Sequence, residues 1–496
     1  MLLAPSLVCL LAPLVHAHAG LEPRAHAAAA ATATAVAAAS SQDARQAEPK
    51  QGSQEDARAE RQRQRREAAQ KQAEGDKQLK EAADAKKSSA KAPARAALEA
   101  APARCVEILL SRQESLTEGA PKAEWPYEGV YRVAPYEGEA RAAQIPLGYR
   151  IGGTSIASTA LIRAHGGKPT EEVQAALERA LDFVLDKLGH PLMQPEGCKG
   201  YDVRGWGHAY ALEFLLLLEQ HSLVQGERKE KVASTIAWLI GALDTMEHAQ
   251  SGGWNYARTD APQGASPFMT APTLQILYQA KAQGHAVPDE LVSRALQTLE
   301  DSRGESGAIQ YATNAGSKSG KSAEEIPAAV ARMAVVETTL HLAGRGSPER
   351  IRVAVDAFFA HWEWLEVRRR QGGTHIPPYS IAPYYFFYGH RYVAQAIEFL
   401  PEKDRAELRS RLQSLLWVVR EESGGWNDRV FDRSENFGTA MTLLALLEPK
   451  SARPTGWANG ATNGATKGVT NDAKKAKTGT KPDAQGEPTG GAGSGS

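Results

Sequence analysis

The chain has 496 residues, and its 58 Lys and Arg are balanced by 58 Asp and Glu, so the formal net charge is zero. That balance leaves no basic footprint for nucleic acid, and no apolar run reaches the length of a permanent membrane span. Its 3 cysteines form neither a disulfide framework nor a C-x-x-C pair, and nothing in the sequence calls for a metal or cofactor.

The chain begins MLLAPSLVCLLAPLVHAHAG, an apolar run from Leu2 to Val15 followed by the small-x-small triplet Ala17-His18-Ala19. Residues 1–19 read as a signal peptide and predict an extracytoplasmic protein, periplasmic or secreted. Residues 20–104 are dominated by Ala, Gln, Arg, Lys and Glu, with too little apolar area to offset their ordering entropy. They are expected to form a spacer whose best local structure is a solvated helix over Gln54 to Ala85. Residues 450–496 repeat Thr, Asn, Gly, Lys and Ala and are expected to be disordered. The folded domain is therefore expected over 105–449.

Within it the sequence repeats itself. QSGGWNYA at Gln250 to Ala257 and ESGGWNDR at Glu422 to Arg429 each follow one helical pattern and precede another. Paired glycines suit a helix C-terminus that must turn through left-handed backbone. Weaker copies are placed at Gly148-Tyr149, Gly205-Trp206, Gly307-Ala308-Ile309 and Gly372-Gly373-Thr374. The steps of roughly 50 to 65 residues accommodate two helices each at about 1.5 Å per residue. Helices before the junctions, such as PTEEVQAALERALDFVLDKL, are amphipathic. Those after them, such as HAYALEFLLLLE and AVARMAVVETTLHLA, are apolar almost all round. An inner and an outer ring follow. The predicted class is all-α, an α/α toroid of about six helix pairs.

The junctions resemble the Gln-to-Gly-x-Trp motif of the prenyltransferase and squalene-cyclase repeat superfamily. Gln250, Gly252 and Trp254 match it with a shortened spacer, and Gly424 and Trp426 match with Glu422 in place of the glutamine. GWGHAYALEFLLLLE, YYFFYGHRYVAQA and ENFGTAMTLLALLEP resemble uncharacterised exported bacterial members. The family's chemistry does not transfer residue by residue. The Asp-x-Asp-Asp acid of triterpene cyclases is missing, as are the aspartate-rich magnesium motifs of ionising synthases, and Cys198 lies outside the zinc context of protein prenyltransferases.

Connectivity gathers the N-termini of the inner helices at one end of the ring, where unpaired N–H groups favour anions. Arg204, Arg258 and Arg429 lie in the same loops, with Asp202, Asp260, Asp428 and Asp432 as counter-charges. Trp206, Tyr210, Trp254, Tyr256, Arg258, Tyr384, Tyr388 and Trp426 are the candidate ligand-binding residues, although the three tryptophans read first as plugs between helices. His208 and His390 share a Gly-His-x-Tyr context that suits either packing against backbone or acid–base work. Glu337 and Glu213 lie on apolar helices, as raised-pKa acids or as partners of arginines. Asp432 and Glu435 precede the last inner helix, where Glu435 with Thr439 suits a cap. Arg391 beside His390 is a charge neutraliser for a base. His208, Glu337, His390, Arg391 and Asp432 are thus the catalytic candidates. A metal site from Asp202, His208 and His390 is the remaining option. HWEW at His361 to Trp364 and the run Arg368 to Arg370 read as a solvated outer face. Three functions fit: a binding protein holding a hydrophobic or anionic ligand, a cyclase-like enzyme with an atypical acid, or a polysaccharide lyase or hydrolase. The expected ligand is isoprenoid-like or a carbohydrate.

Overall fold

The computed structural model describes residues 51–129, 145–196, 203–256, 264–313, 325–373, 375 and 378–457. The proposed leader and most of the tail lie outside them. The chain divides after Leu79. Helix α1 (Gln51–Ser89) begins before that point, and there its charges pair locally, Arg63 with Glu60 and Glu67. A helix so poor in apolar residues has little to bury.

The remainder is built from paired helices. The outer members are α2 (Arg95–Arg112), α4 (Glu171–Leu188), α6 (Glu227–Thr245), α8 (Asp289–Asp301), α10 (Pro348–Arg368) and α12 (Glu402–Trp417). The inner members are α3 (Leu147–Ala164), α5 (Arg204–Gln220), α7 (Pro267–Ala282), α9 (Ile326–Leu342), α11 (Tyr385–Ile397) and α13 (Ser434–Leu447). Each inner helix packs on the next, and α13 returns to pack on α3, so the ring closes. Outer helices cover it from outside: α2 lies against α13 and α3, and α10 against α9 and α11. Among the described residues there is no strand, only two isolated bridges. This is an α/α toroid.

The inner helices are wrapped in protein because their sequences are apolar on every face. Every residue of α3 from Ile151 to Ile162 is buried. Such a helix cannot be solvated, so neighbours on both sides and an outer layer supply its environment. Its glycines set how closely those neighbours come. A Cβ on Gly152 would lie 2.3 Å from the Trp206 ring of α5, and one on Gly153 would lie 2.4 Å from the Trp125 carbonyl. Outer helices show the opposite design. In α4, Thr170 accepts from the Val173 N–H, Glu171 and Glu172 occupy the first turn, and the buried side is a stripe from Val173 to Leu188.

Three junctions share one packing device. The indole N–H of Trp254 donates to Leu243 O (2.7 Å) at the end of α6, while its backbone N–H donates to Thr270 Oγ1 (3.0 Å) in α7. Trp426 repeats this with Leu416 O (2.8 Å) and Thr439 Oγ1 (3.1 Å). Trp125 repeats it with Leu109 O (2.6 Å) and Thr154 Oγ1 (2.9 Å). Each tryptophan thus ties an outer helix to the inner helix that follows. The glycines before two of them adopt left-handed backbone, with φ of 73° at Gly252, 69° at Gly253 and 87° at Gly424.

Several expectations change. The first plug is Trp125, whereas Gly148-Tyr149 and Gly205-Trp206 lie inside inner helices α3 and α5. The long connection between Trp125 and α3 hides the period. The domain reaches upstream of Cys105, because α2 begins at Arg95 and packs on α13. Lys86 and Lys87 extend it further, pairing with Glu366 and Glu363 of α10. At the other end, Ser451 to Trp457 is not loose. Trp457 donates its N–H to Leu342 O (2.9 Å), lies 5.4 Å from the Tyr278 ring and receives Lys281 Nζ at 4.2 Å from its own ring. Of the Arg368 to Arg370 run, only Arg370 is on a solvated face. Arg368 donates to Ile381 O (3.2 Å), and buried Arg369 holds Glu366 and the Asn427 carbonyl (3.1 Å).

Candidate functional site

The loops entering the inner helices meet at one end of the ring. Gly205 N–H donates to Tyr256 O (2.9 Å), Ser434 Oγ to Glu128 O (2.7 Å), and Thr313 N–H to Ala265 O (3.0 Å). At this mouth, aromatic rings from separate repeats pack into one column. Tyr127 lies 4.5 Å from Phe437 and 5.9 Å from Trp206, and Trp206 lies 5.2 Å from Tyr210. Across the ring, Phe268 lies 4.3 Å from Tyr388 and 5.1 Å from Tyr384. Arg429 joins the two halves, its guanidinium 5.9 Å from the Tyr127 ring centre and 5.7 Å from that of Tyr384.

A polar chain runs through these rings. Tyr127 OH donates to Asp428 Oδ2 (2.8 Å) and accepts from Arg429 Nε (3.1 Å). Tyr256 and Tyr384 share a hydrogen bond of 2.8 Å between their hydroxyls, and His375 Nε2 lies 3.3 Å from Tyr384 OH and 3.2 Å from Tyr311 OH. Asp428 is fully buried, its Oδ1 has no partner among the described residues, and burial pushes its pKa up to about 6 against the pull of Arg429 and Tyr127. A carboxyl in that state exchanges a proton near neutral pH.

Arg332, in the second turn of α9, is the other unusual group. It is buried, and its Nε and Nη1 donate to Ile309 O (2.8 Å) and Ala328 O (2.7 Å), while Nη2 has no partner. Its neighbours are Tyr385, Tyr311, Tyr384 and Tyr388, no carboxylate pairs with it among the described residues, and burial lowers its pKa. A buried cation without an anion is expensive.

The remaining candidates fall into place around this end. Trp206, Tyr210, Tyr256, Tyr384 and Tyr388 belong to the aromatic column. Trp254 and Trp426 do not. Their indole N–H groups are held by outer helices, so they are packing residues rather than ligand contacts. Arg258 lies outside the described residues, as do Cys198, Asp202 and Asp260.

The catalytic candidates are mostly displaced. His390 Nδ1 donates to Phe386 O (2.7 Å) and Nε2 accepts from Trp362 Nε1 (3.0 Å), which defines one neutral tautomer. His208 Nε2 donates to Met193 O (2.9 Å). Burial lowers both pKa values to about 3, so neither ring is an acid near neutral pH. Both ring nitrogens of His390 are thus used within the fold, whereas His208 spends only Nε2 and buries Nδ1 without a partner among the described residues. Glu337 is held by Arg303 through two bonds of 2.8 Å, and Glu213 by Arg391 (2.8 Å) and Arg163 (3.3 Å). Both carboxylates are thus arginine partners, and Arg391 is committed to Glu213 rather than to a base at His390. Asp432 is exposed at a turn. Glu435 accepts from Arg112 and Ser423 instead of capping α13, and Thr439 serves Trp426. Asp428 and Arg332 are instead charged groups here that each bury an atom without a partner among the described residues. The sequence carried a signal for Arg332, since it interrupts the apolar run AVARMAVV just as Glu337 interrupts its continuation.

No family model matches the chain, and no curated protein matches it either. Solved structures to which it is similar include the type II terpene cyclase MstE from Scytonema, at 15% identity and TM-score 0.40, covering 72% of this chain and 98% of that one. A protein from Listeria innocua is similar at 10% identity and TM-score 0.42, over 72% and 98% of the two chains. A possible member of the GH105 family from Salmonella enterica is similar at 12% identity and TM-score 0.41, over 72% and 94%.

None of the described helices is long and apolar enough to cross a membrane, and no group of three His, Cys, Asp or Glu is placed to hold a metal ion among the described residues.

Proposed function

We propose that the mouth of the ring binds an anionic ligand with an apolar or ring-shaped body. One observation carries this reading: the Arg332 guanidinium lies buried among tyrosines, and among the described residues its Nη2 is unpartnered and no carboxylate pairs with it. An anion in that position compensates the charge, the N-termini of the inner helices add favourable dipoles, and the aromatic column receives the body. Prenyl diphosphates and acidic sugars both have this make-up. Export through residues 1–19 belongs to the same proposal and is checked by cell fractionation and N-terminal sequencing of the mature chain.

The test is calorimetric titration of the purified protein with geranylgeranyl diphosphate and with a galacturonate oligomer. Saturable binding of either, lost in Arg332→Met, supports the reading. Binding that Arg332→Met leaves intact, or no binding of either, refutes it.

A second reading rests on Asp428, whose unpartnered Oδ1 and raised pKa suit a general acid delivering a proton to the bound ligand. It predicts turnover of the ligand that binds, with product seen by mass spectrometry and lost in Asp428→Asn while binding survives.

A further inference from the structure

The inner helices end on the face opposite the mouth, and that face holds a cavity of about 460 Å³. Helix α3 contributes Arg163, α5 Glu213 to His221, α7 Pro272 to Gln283, and α11 Arg391 to Gln395. One wall is the chain's own segment Lys450 to Thr455, held in place two residues later by Trp457. The volume lies within the range of small-molecule sites.

The charges at its base compensate one another. Glu213 accepts from Arg391 and Arg163, and buried Glu448 faces the same two arginines. The two guanidinium groups are thus answered by carboxylates within the fold, which weakens their pull on an ion. The converging helix C-termini carry partial negative charge and disfavour an anion. Lys450 and Arg453 on the wall disfavour a cation. Recognition therefore passes to neutral polar groups, and the lining is rich in them, with amides at Gln220, Gln275, Gln279, Gln283 and Gln395.

Two of these amides have carbonyl oxygens with no donor among the described residues. Gln395, 6% exposed, and Gln283 each bury an unpartnered Oε1. An empty buried acceptor is costly, so turning either amide toward hydroxyl donors of a ligand in the cavity is favourable. Leu217, Pro272, Ile276 and the Tyr392 ring offer apolar faces beside them. Alternating hydroxyl and C–H surfaces are the property of a sugar ring or another cyclic polyol.

We infer that this cavity is a second binding site, separate from the mouth, for a neutral hydroxyl-rich ligand of one or two sugar rings. Gln395 and Gln283 accept its hydroxyl protons, and the C-terminal wall closes over it.

The experiment is calorimetric titration of the full chain with methyl glucoside, maltose and trehalose, and with galacturonate and inorganic phosphate as charged counterparts. A neutral sugar is expected to bind one per chain, with equal affinity in wild type and Arg332→Met. Gln395→Leu should weaken it at least tenfold. Gln283→Ala, at a half-buried position, should weaken it about threefold or more and decides the matter if Gln395→Leu fails to fold. The inference is overturned if no neutral sugar binds, if binding survives both glutamine changes, or if it disappears with Arg332→Met. It is equally overturned if galacturonate or phosphate binds and depends on Gln395. Loss of anion binding at the mouth leaves these outcomes unaffected, so the two sites succeed or fail separately.

Discussion

The two ends of the ring handle buried charge in opposite ways. At the C-terminal ends of the inner helices, Arg391 and Arg163 close on Glu213. At the N-terminal ends, Arg332 has backbone carbonyls and tyrosines, and Arg429 has the Tyr127 hydroxyl with Asp428 beyond it. The first arrangement answers its own charge. The second leaves a cation unanswered among the described residues, and an anionic ligand is where its answer is to be sought.

The plugs set the upper bound of that comparison. Trp254→Ala removes a buried indole and both its helix ties, and should cost about 3–5 kcal/mol in chemical denaturation. A cost under 1 kcal/mol would mean the junction does not hold the ring together. Next comes the compensated end. Glu213→Gln leaves Arg391 without its carboxylate, and a loss of about 3 kcal/mol is expected, read from the same unfolding curves.

The uncompensated end should respond in the other direction. Arg332→Met replaces a buried unpaired charge with an apolar chain, so thermal stability should be unchanged or higher by about 1 kcal/mol while anion binding is lost. A large destabilisation would show that Arg332 is a structural group.

Proton linkage separates the ends again. The folded pKa of Asp428 is raised from 3.8 to about 6. Between those values the folded state binds more protons than the unfolded one, so this group's contribution to stability falls as pH rises from about 4 to about 6 and is level above. The total is on the order of 3 kcal/mol at about 1.4 per pH unit. Asp428→Asn should flatten that part of the stability profile. Anion affinity at the mouth should decline through the same window as Asp428 ionises, and the asparagine variant should abolish the decline.

The smallest effect belongs to the exposed rim of the second cavity, where Gln279 contributes little beyond a 3.4 Å contact to Gln220. Gln279→Ala should change stability by less than about 0.5 kcal/mol.

Much of the ring was legible in the residues because period and polarity are local properties. A helix such as α9, apolar all round, has to be enclosed, and one such as α4, with a single buried stripe, has to face outward; the glycine pairs before Trp254 and Trp426 marked the corners. The Gly-His-x-Tyr context suggested packing of His208 and His390 against backbone, and lone carboxylates on apolar helices suggested arginine partners for Glu213 and Glu337. Those inferences need only one helix and the cost of burying a polar group.

What no single segment contains is which distant groups meet. Arg429 reaches Tyr127 across some three hundred positions of chain, Arg391 finds Glu213 from another repeat, and the segment ending at Trp457 lies against α7 and α9 although its composition is that of a loose tail. Ring closure decides these meetings, because it brings the first junction beside the last. Sequence alone therefore determined that there would be a ring of buried helices with polar ends. Tertiary structure decided which end left its arginine unanswered, since compensation depends on distances between side chains that separation along the chain does not encode.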